Sequence, residues 1–175
     1  MDKNKILVVG TGISGISACD LLRAKGESCV LFDSNDKLDE QSVRERLKDA
    51  DCVDICFGEL ANDVIDTLKL AVLSPGVPVD SAMVTGLKEA GVPVIGEIEL
   101  AYRYEKGTLI AITGTNGKTT TTALTGKIMS DRFKKVVVVG NIGNPYTGEV
   151  VDADEDSISV AEISSFQLET IEVFQ

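Results

Sequence analysis

Histidine is absent from all 175 residues. A zinc site built from the usual nitrogen and sulfur donors would therefore rest on the four cysteines, Cys19, Cys29, Cys52 and Cys56. Zinc sites take four ligands in fixed geometry, and only Cys52 and Cys56 are close in sequence. They share one face if "CVDIC" is a strand. The cysteines read instead as reduced, half-buried thiols. The chain also lacks any apolar run near the ~20 residues that cross a bilayer, so no membrane partner is expected. Basic residues are scarce: 17 Lys and Arg against 28 Asp and Glu leave a net charge of −11. That deficit speaks against nucleic acid as a partner, because such binding neutralises phosphates with cationic side chains. It leaves nucleotides open, since backbone N–H groups at a helix N-terminus hold phosphate without net positive charge. Repeats and low-complexity segments are absent, and "MDKNKILVVG" enters a strand-like run without signal-peptide architecture. The expected compartment is the cytoplasm.

What is present is an alternation of apolar strands and mixed helices. "KILVV" (5–9), "SCVLFD" (28–33), "CVDICFG" (52–58), "LAVLS" (70–74) and "VPVIG" (92–96) read as strands. Helices are expected over 14–26, 39–50 and 81–91. Near-continuous apolar strands alternating with helices predict an α/β fold, a Rossmann-like doubly wound parallel sheet over residues 1–93. A second alternation follows "GEIELAYRYEKG" (96–107). It has strands at 108–113, 134–140 and 157–163, and a helix over 117–131. Residues 94–175 then read as a partial P-loop ATPase-like domain whose short sheet leaves apolar faces uncovered. The expectation is that the chain is an N-terminal fragment of a longer protein.

The first motif is "GTGISG", which sets Gly10, Gly12 and Gly15 in G-x-G-x-x-G spacing between a strand and a helix. Such glycines permit a tight turn, close ligand approach and close helix–strand packing. Asp33 ends the next strand, where an acidic side chain meets a ribose in dinucleotide-binding proteins. The motif alone is weak. NAD or FAD, another nucleotide, and a plain tight turn all remain open, and Asp33 also reads as a turn residue of "DSND".

The second motif is "ITGTNGKTT". The strict P-loop pattern asks for a glycine where Ile112 stands. The physics is nevertheless that of a phosphate cradle. Gly114 and Gly117 permit positive φ. The N–H groups of Thr115, Asn116, Gly117, Lys118, Thr119 and Thr120 lie in the loop and first turn, where the helix dipole attracts anions. Lys118 supplies a point charge for the β- and γ-phosphates of ATP, and Thr119 a hydroxyl for Mg²⁺. Thr120, Thr121 and Thr122 are expected to crowd the first turn as further hydroxyl donors. A Mg²⁺ ion also needs a carboxylate, and Glu162 near the end of "SISVAEI" fits. A glutamate there is otherwise costly to bury, the other reading being a salt-bridged or capping residue.

"GTNGKTT", "GNIGNP" (140–145) and "AEISSFQLE" (161–169), with "SPGV" and "GEIEL", together resemble the Mur ligase family. The resemblance runs the whole chain but covers only the first part of the family's length. It implies that the first domain binds a UDP-sugar rather than NAD, with Ile13 and Ser14 at uracil and pyrophosphate, Asp33 on the uracil and Gly76 beside the nucleotide. It implies that Asn141, Ser164 and Gln167 line the muramoyl-peptide side of the cleft. The substrates implied are UDP-N-acetylmuramoyl-L-alanine and D-glutamate, joined with ATP and Mg²⁺ through an acyl phosphate, with Lys118 and Glu162 as the catalytic pair. The family's metal-binding histidine, carbamylated lysine and third domain would lie beyond Gln175. No turnover is then expected of the 175 residues alone, and the complete protein is expected to be a monomer. The rivals are a lysine- or diaminopimelate-adding relative, against which the early GTGISG counts, and an NAD- or nucleotide-sensing module.

Overall fold

The computed structural model describes residues 3–175, and the chain divides into two compact units that meet between Glu97 and Ile98. The first unit runs β1 (Lys5–Val9), α1 (Ile13–Ala24), β2 (Ser28–Asp33), α2 (Glu40–Arg44), β3 (Val53–Phe57), α3 (Asn62–Ile65), β4 (Leu68–Leu73), α4 (Ala82–Glu89) and β5 (Val94–Gly96). All pairings are parallel, in the order β3-β2-β1-β4-β5. The order reverses between β1 and β4. With right-handed crossovers this puts helices on both faces and opens a crevice at the carboxyl ends of those two strands. Leu7, Val9, Val30, Phe32, Leu73, Val84 and Leu87 form the core between sheet and α4. Each buried Leu, Val or Phe contributes about 1.5–3 kcal/mol relative to exposure, so the sheet's position is strongly fixed.

Two expectations for this unit need correction. The helix expected over 39–50 ends at Arg44. Asp39 caps its start by accepting from the Ser42 N–H, but the Lys48 N–H goes to the Asp20 carboxylate and the Ala50 carbonyl to Arg44. These side-chain partners replace the next turn's helical bonds while Leu47 is buried. Cys52 is not on the strand. It lies in a 3₁₀ turn, Ala50–Cys52, and is exposed, so it does not share a strand face with half-buried Cys56. Cys19 and Cys29 are fully buried free thiols.

The second unit runs α5 (Glu97–Tyr104), β6 (Thr108–Ile112), α6 (Lys118–Ser130), β7 (Lys135–Gly140), α7 (Tyr146–Glu149), β8 (Ser157–Glu162) and α8 (Ser165–Leu168). Its three strands are parallel, with β8 between β6 and β7. β8 is buried throughout, as a strand flanked on both sides should be. The outer strands are only partly covered: Leu109, Ile110 and Ile112 of β6 and Val136 to Val138 of β7 are half-buried.

Carboxylates that each take several donors organise much of this unit. Glu99, 0% exposed, accepts from the N–H groups of Glu172, Val173 and Phe174 and from Arg103. Glu105 accepts from the N–H groups of Lys106 and Gly107 on one oxygen, and from the Tyr146 and Ser159 hydroxyls on the other. Burial, then the bond to Glu105, pushes the Tyr146 phenol well above its ordinary value, so it donates as a neutral group. A charge taken out of water persists only when its lone pairs are filled in this way.

Candidate functional site

Helix ends separate structural from functional positions. α2, α4 and α8 are capped by the side chains of Asp39, Ser81 and Ser164. The two longest helices, α1 and α6, begin at Gly12 and Gly117 with no side-chain cap and no acidic residue in the first turn. Their first N–H groups remain available, with the positive dipole end behind them. Both long helices thus open toward the carboxyl end of a parallel sheet with the donor array that holds a phosphate.

In the first unit Gly10 turns the chain with φ 101° and donates its N–H to the Phe32 carbonyl at 2.7 Å. A Cβ on Gly15 would sit 1.8 Å from the Gly10 carbonyl oxygen, which explains the glycine there: helix and turn are in backbone contact. Asp33 lies at the end of β2 and binds this loop. It accepts from the Thr11 N–H at 3.0 Å, the Thr11 hydroxyl at 2.8 Å and the Asn35 N–H at 3.1 Å. Burial alone would raise its pKa, but the bonds from Asn35 and Thr11 outweigh it and hold the carboxyl below its ordinary value. One acceptor position on Oδ1 stays free by lone-pair count. Ile13 is 71% exposed at the helix start, Ser14 is half-buried and Gly76 exposed. Ser74, at the end of β4, was not singled out in the sequence. Its hydroxyl is buried against Gly10 and has no partner. The available signal was a serine between an apolar strand and a Pro-Gly turn.

In the second unit Gly114 and Gly117 have φ 142° and 76°, as the loop reading requires. Lys118 folds back onto its own loop, donating to the Gly114 carbonyl at 2.7 Å. Thr119 and Thr120 are exposed, as are Thr115 and Asn116. Thr122 departs from expectation: it is fully buried on the packed side of α6 with its hydroxyl unpartnered, so it cannot serve the loop. Glu162 ends β8, in register with Ile112 of β6 and Gly140 of β7. Because the strands are parallel, Glu162 and the loop after β6 leave the same end of the sheet. Glu162 is 2% exposed. Its Oε1 accepts from the Asn141 amide at 2.8 Å, and its Oε2 has no partner. A buried acceptor left unmade costs about 1–3 kcal/mol, more when charged. No group of three or more His, Cys, Asp or Glu forms a metal cluster among the described residues. The donors that do exist, one carboxylate oxygen and a nearby loop with an exposed hydroxyl, suit Mg²⁺. That ion takes one or two protein oxygens and fills its shell with phosphate and water.

Ser164 and Gln167 are engaged with each other. Ser164 Oγ accepts from the Gln167 N–H at 3.3 Å and Gln167 Oε1 accepts from the Ser164 N–H at 2.9 Å, a reciprocal cap of α8. The structure therefore joins Asn141 directly to Glu162, and places Ser164 and Gln167 one step along the same chain segment.

Two parallel α/β units, each opening an uncapped helix at a glycine loop, define a nucleotide-handling class of fold. Comparison with known proteins makes this specific. Residues 4–96 match the Mur ligase MurD-like N-terminal domain and residues 112–174 the Mur ligase middle domain. The chain belongs to the Mur ligase family. It is 58% identical over 173 residues to the UDP-N-acetylmuramoylalanine--D-glutamate ligase of Lachnospira eligens, covering 98% of this chain and 38% of that protein. It is 51% identical to the protein of the same name from Lachnoclostridium phytofermentans, with the same coverage. The chain thus spans about two-fifths of the length of these relatives. Among solved structures, the UDP-N-acetylmuramate-alanine ligase MurC of Thermotoga maritima shares the fold, with a TM-score of 0.52 at 23% identity over 91% of this chain and 37% of that one. The two family matches cover both units, which counts against a stand-alone NAD-sensing module. No helix among the described residues is long and apolar enough to cross a membrane.

Proposed function

We propose that the protein carrying this chain is an ATP-dependent ligase that joins D-glutamate to UDP-N-acetylmuramoyl-L-alanine, acting in the cytoplasm as a monomer. The relatives' names support the substrates, at 58% and 51% identity. The single observation that carries the site is the free, buried Oε2 of Glu162 at the sheet end shared with the uncapped glycine loop.

A carboxylate resists attack by an amine because its leaving group would be oxide. Transfer of the γ-phosphoryl of ATP to the substrate carboxylate releases ADP and makes an acyl phosphate. The amine of D-glutamate then attacks the carbonyl carbon, and inorganic phosphate leaves. In this reading the N–H groups of residues 115–120 receive the phosphate chain. Lys118 exchanges its bond to the Gly114 carbonyl for the β- and γ-phosphates. Thr119 and Glu162 would hold Mg²⁺, which when bound offsets charge on the phosphoryl oxygens. Asn141 occupies Oε1 of Glu162 and leaves the buried Oε2 without a donor. In the first unit the open N-terminus of α1, at Ile13 and Ser14, would take the UDP pyrophosphate with Gly76 alongside. The remaining acceptor of Asp33 matches the single N–H of uracil. Ser164 and Gln167 would border the muramoyl-peptide.

The test is Lys118→Ala in the full-length protein, followed by ADP release in the presence of both substrates. The turnover should fall about 10²–10³-fold, the cost of losing one preorganised charge-stabilising group. Unchanged turnover would end this assignment.

A further inference from the structure

We propose that Glu99 is a positioning residue for α8, the one-turn helix that carries Ser164 and Gln167. The proposal rests on the reading of those two residues as bordering the sugar-linked substrate.

A four-residue helix does not persist alone, because one turn fixes too many dihedrals for too few bonds. α8 must be held at both ends. Its entry is held by β8 and by the reciprocal cap between Ser164 and Gln167. Its exit is the segment 169–174, and that segment is bound by side chains of α5. The Glu99 carboxylate receives three successive N–H groups, from Glu172 at 3.0 Å, Val173 at 3.2 Å and Phe174 at 3.1 Å. Arg103 bridges, donating to Glu99 at 2.8 Å and to the Glu172 carboxylate at 2.6 Å. The Tyr102 and Phe174 rings meet at 5.1 Å. Three consecutive amides converging on one buried carboxylate form an anion nest filled from within the protein. Burial pulls the Glu99 pKa upward, but the Glu172 amide, Arg103 and the other two amides hold it below its ordinary value, so the charge that organises the nest is kept.

Glu99 and Arg103 lie between the two ranges that match family models, 4–96 and 112–174. Their role is therefore visible in the hydrogen bonds and not in those matches. A neutral amide at this position has one acceptor oxygen in place of two, so it cannot serve both the three N–H groups and Arg103, and the far end of α8 is released. Ser164 and Gln167 then lose their fixed position, while the loop at Gly114–Thr120, held by β6 and α6, does not.

The experiment uses the full-length protein with Glu99→Gln, and Arg103→Met as a second variant that removes one arm but keeps the three amide bonds. Amide hydrogen exchange is read at residues 172–174 without ligand, and KM is read separately for UDP-N-acetylmuramoyl-L-alanine and for ATP. In Glu99→Gln the three amides should exchange about tenfold faster, the signature of a local opening. The KM for the sugar-linked substrate should rise about tenfold with that for ATP unchanged, and Arg103→Met should fall between this variant and wild type in both readouts. Unchanged exchange overturns the clamp. Faster exchange with both KM values unmoved, or with both raised equally, overturns the positioning role. The exchange readout needs no ligand, so it stands whatever becomes of the proposed reaction.

Discussion

The two glycine loops of this chain look alike in outline and differ in the acid beside them. Each follows a parallel strand and opens a long helix that no side chain caps. In the first, Asp33 spends its carboxylate on three donors from Thr11 and Asn35, and the loop is thereby fastened to β2. In the second, Glu162 is more deeply buried yet has one oxygen without a donor. A satisfied acid is a structural fastening with room for one more hydrogen bond. An unsatisfied one, removed from water, keeps an acceptor open, and on that the proposed role as a cation ligand rests. On the proposed reading, the first loop takes a ligand recognised by hydrogen bonds alone and the second a phosphate that arrives with a metal. Glu99 and Glu105 sharpen the contrast, because both are fully supplied with donors in the same unit as Glu162.

The comparison can be broken most easily where the first loop meets its helix. Gly15→Ala would drive a Cβ to 1.8 Å from backbone. The expected loss is about 3–5 kcal/mol, the scale of exceptional single substitutions, read by denaturant unfolding. Asp33→Ala comes next. Removing an acceptor shared by three donors should cost about 1.5–3 kcal/mol, and a neutral result would mean that Asp33 is not a fastening. Glu162→Gln is predicted to differ in sign. It keeps an acceptor for Asn141 and removes a buried charge, so stability should be unchanged or rise by up to about 1 kcal/mol. A loss comparable to that of Asp33→Ala would erase the distinction.

The smallest effect is in pH. The Asp33 pKa is depressed in the folded state, so its contribution is present above the unfolded value of about 3.9 and fades as pH falls through the folded one. The stability gap between wild type and Asp33→Asn should therefore be constant near neutrality and close below about pH 4. A gap independent of pH down to acid unfolding would show that the charge contributes nothing.

Local features were legible in the sequence. Seven of the eight strands lie within the apolar runs read as strands, and β4 begins two residues before its run, at Leu68; parallel strands covered on both faces need continuous apolar residues. The loop from Gly114 to Thr120 was readable because its glycines, lysine and hydroxyl are neighbours in sequence. The one-turn helices α3 and α7 carry no periodicity to read. α5 is hard to read in the sequence because Glu97 and Glu99 are charged residue types, yet both are buried. The Glu99 nest depends on residues more than 70 positions away, and the orphaned hydroxyl of Ser74 on contact with Gly10. Neither leaves a trace in spacing. The long helix expected after Asp39 failed for a related reason: Asp20, far away in sequence, accepts from the Lys48 N–H, while the Arg44 side chain donates to the Ala50 carbonyl.

The central claim is that the free oxygen of Glu162 is a cation ligand serving the phosphate loop. Calorimetric titration of ATP into the full-length protein and into Glu162→Gln, with and without Mg²⁺, tests it directly. Wild type should bind ATP at least about tenfold more tightly with Mg²⁺ than without, a coupling of about 1.4 kcal/mol, and Glu162→Gln should lose that difference while remaining folded. A variant that keeps the full Mg²⁺ dependence would contradict the account.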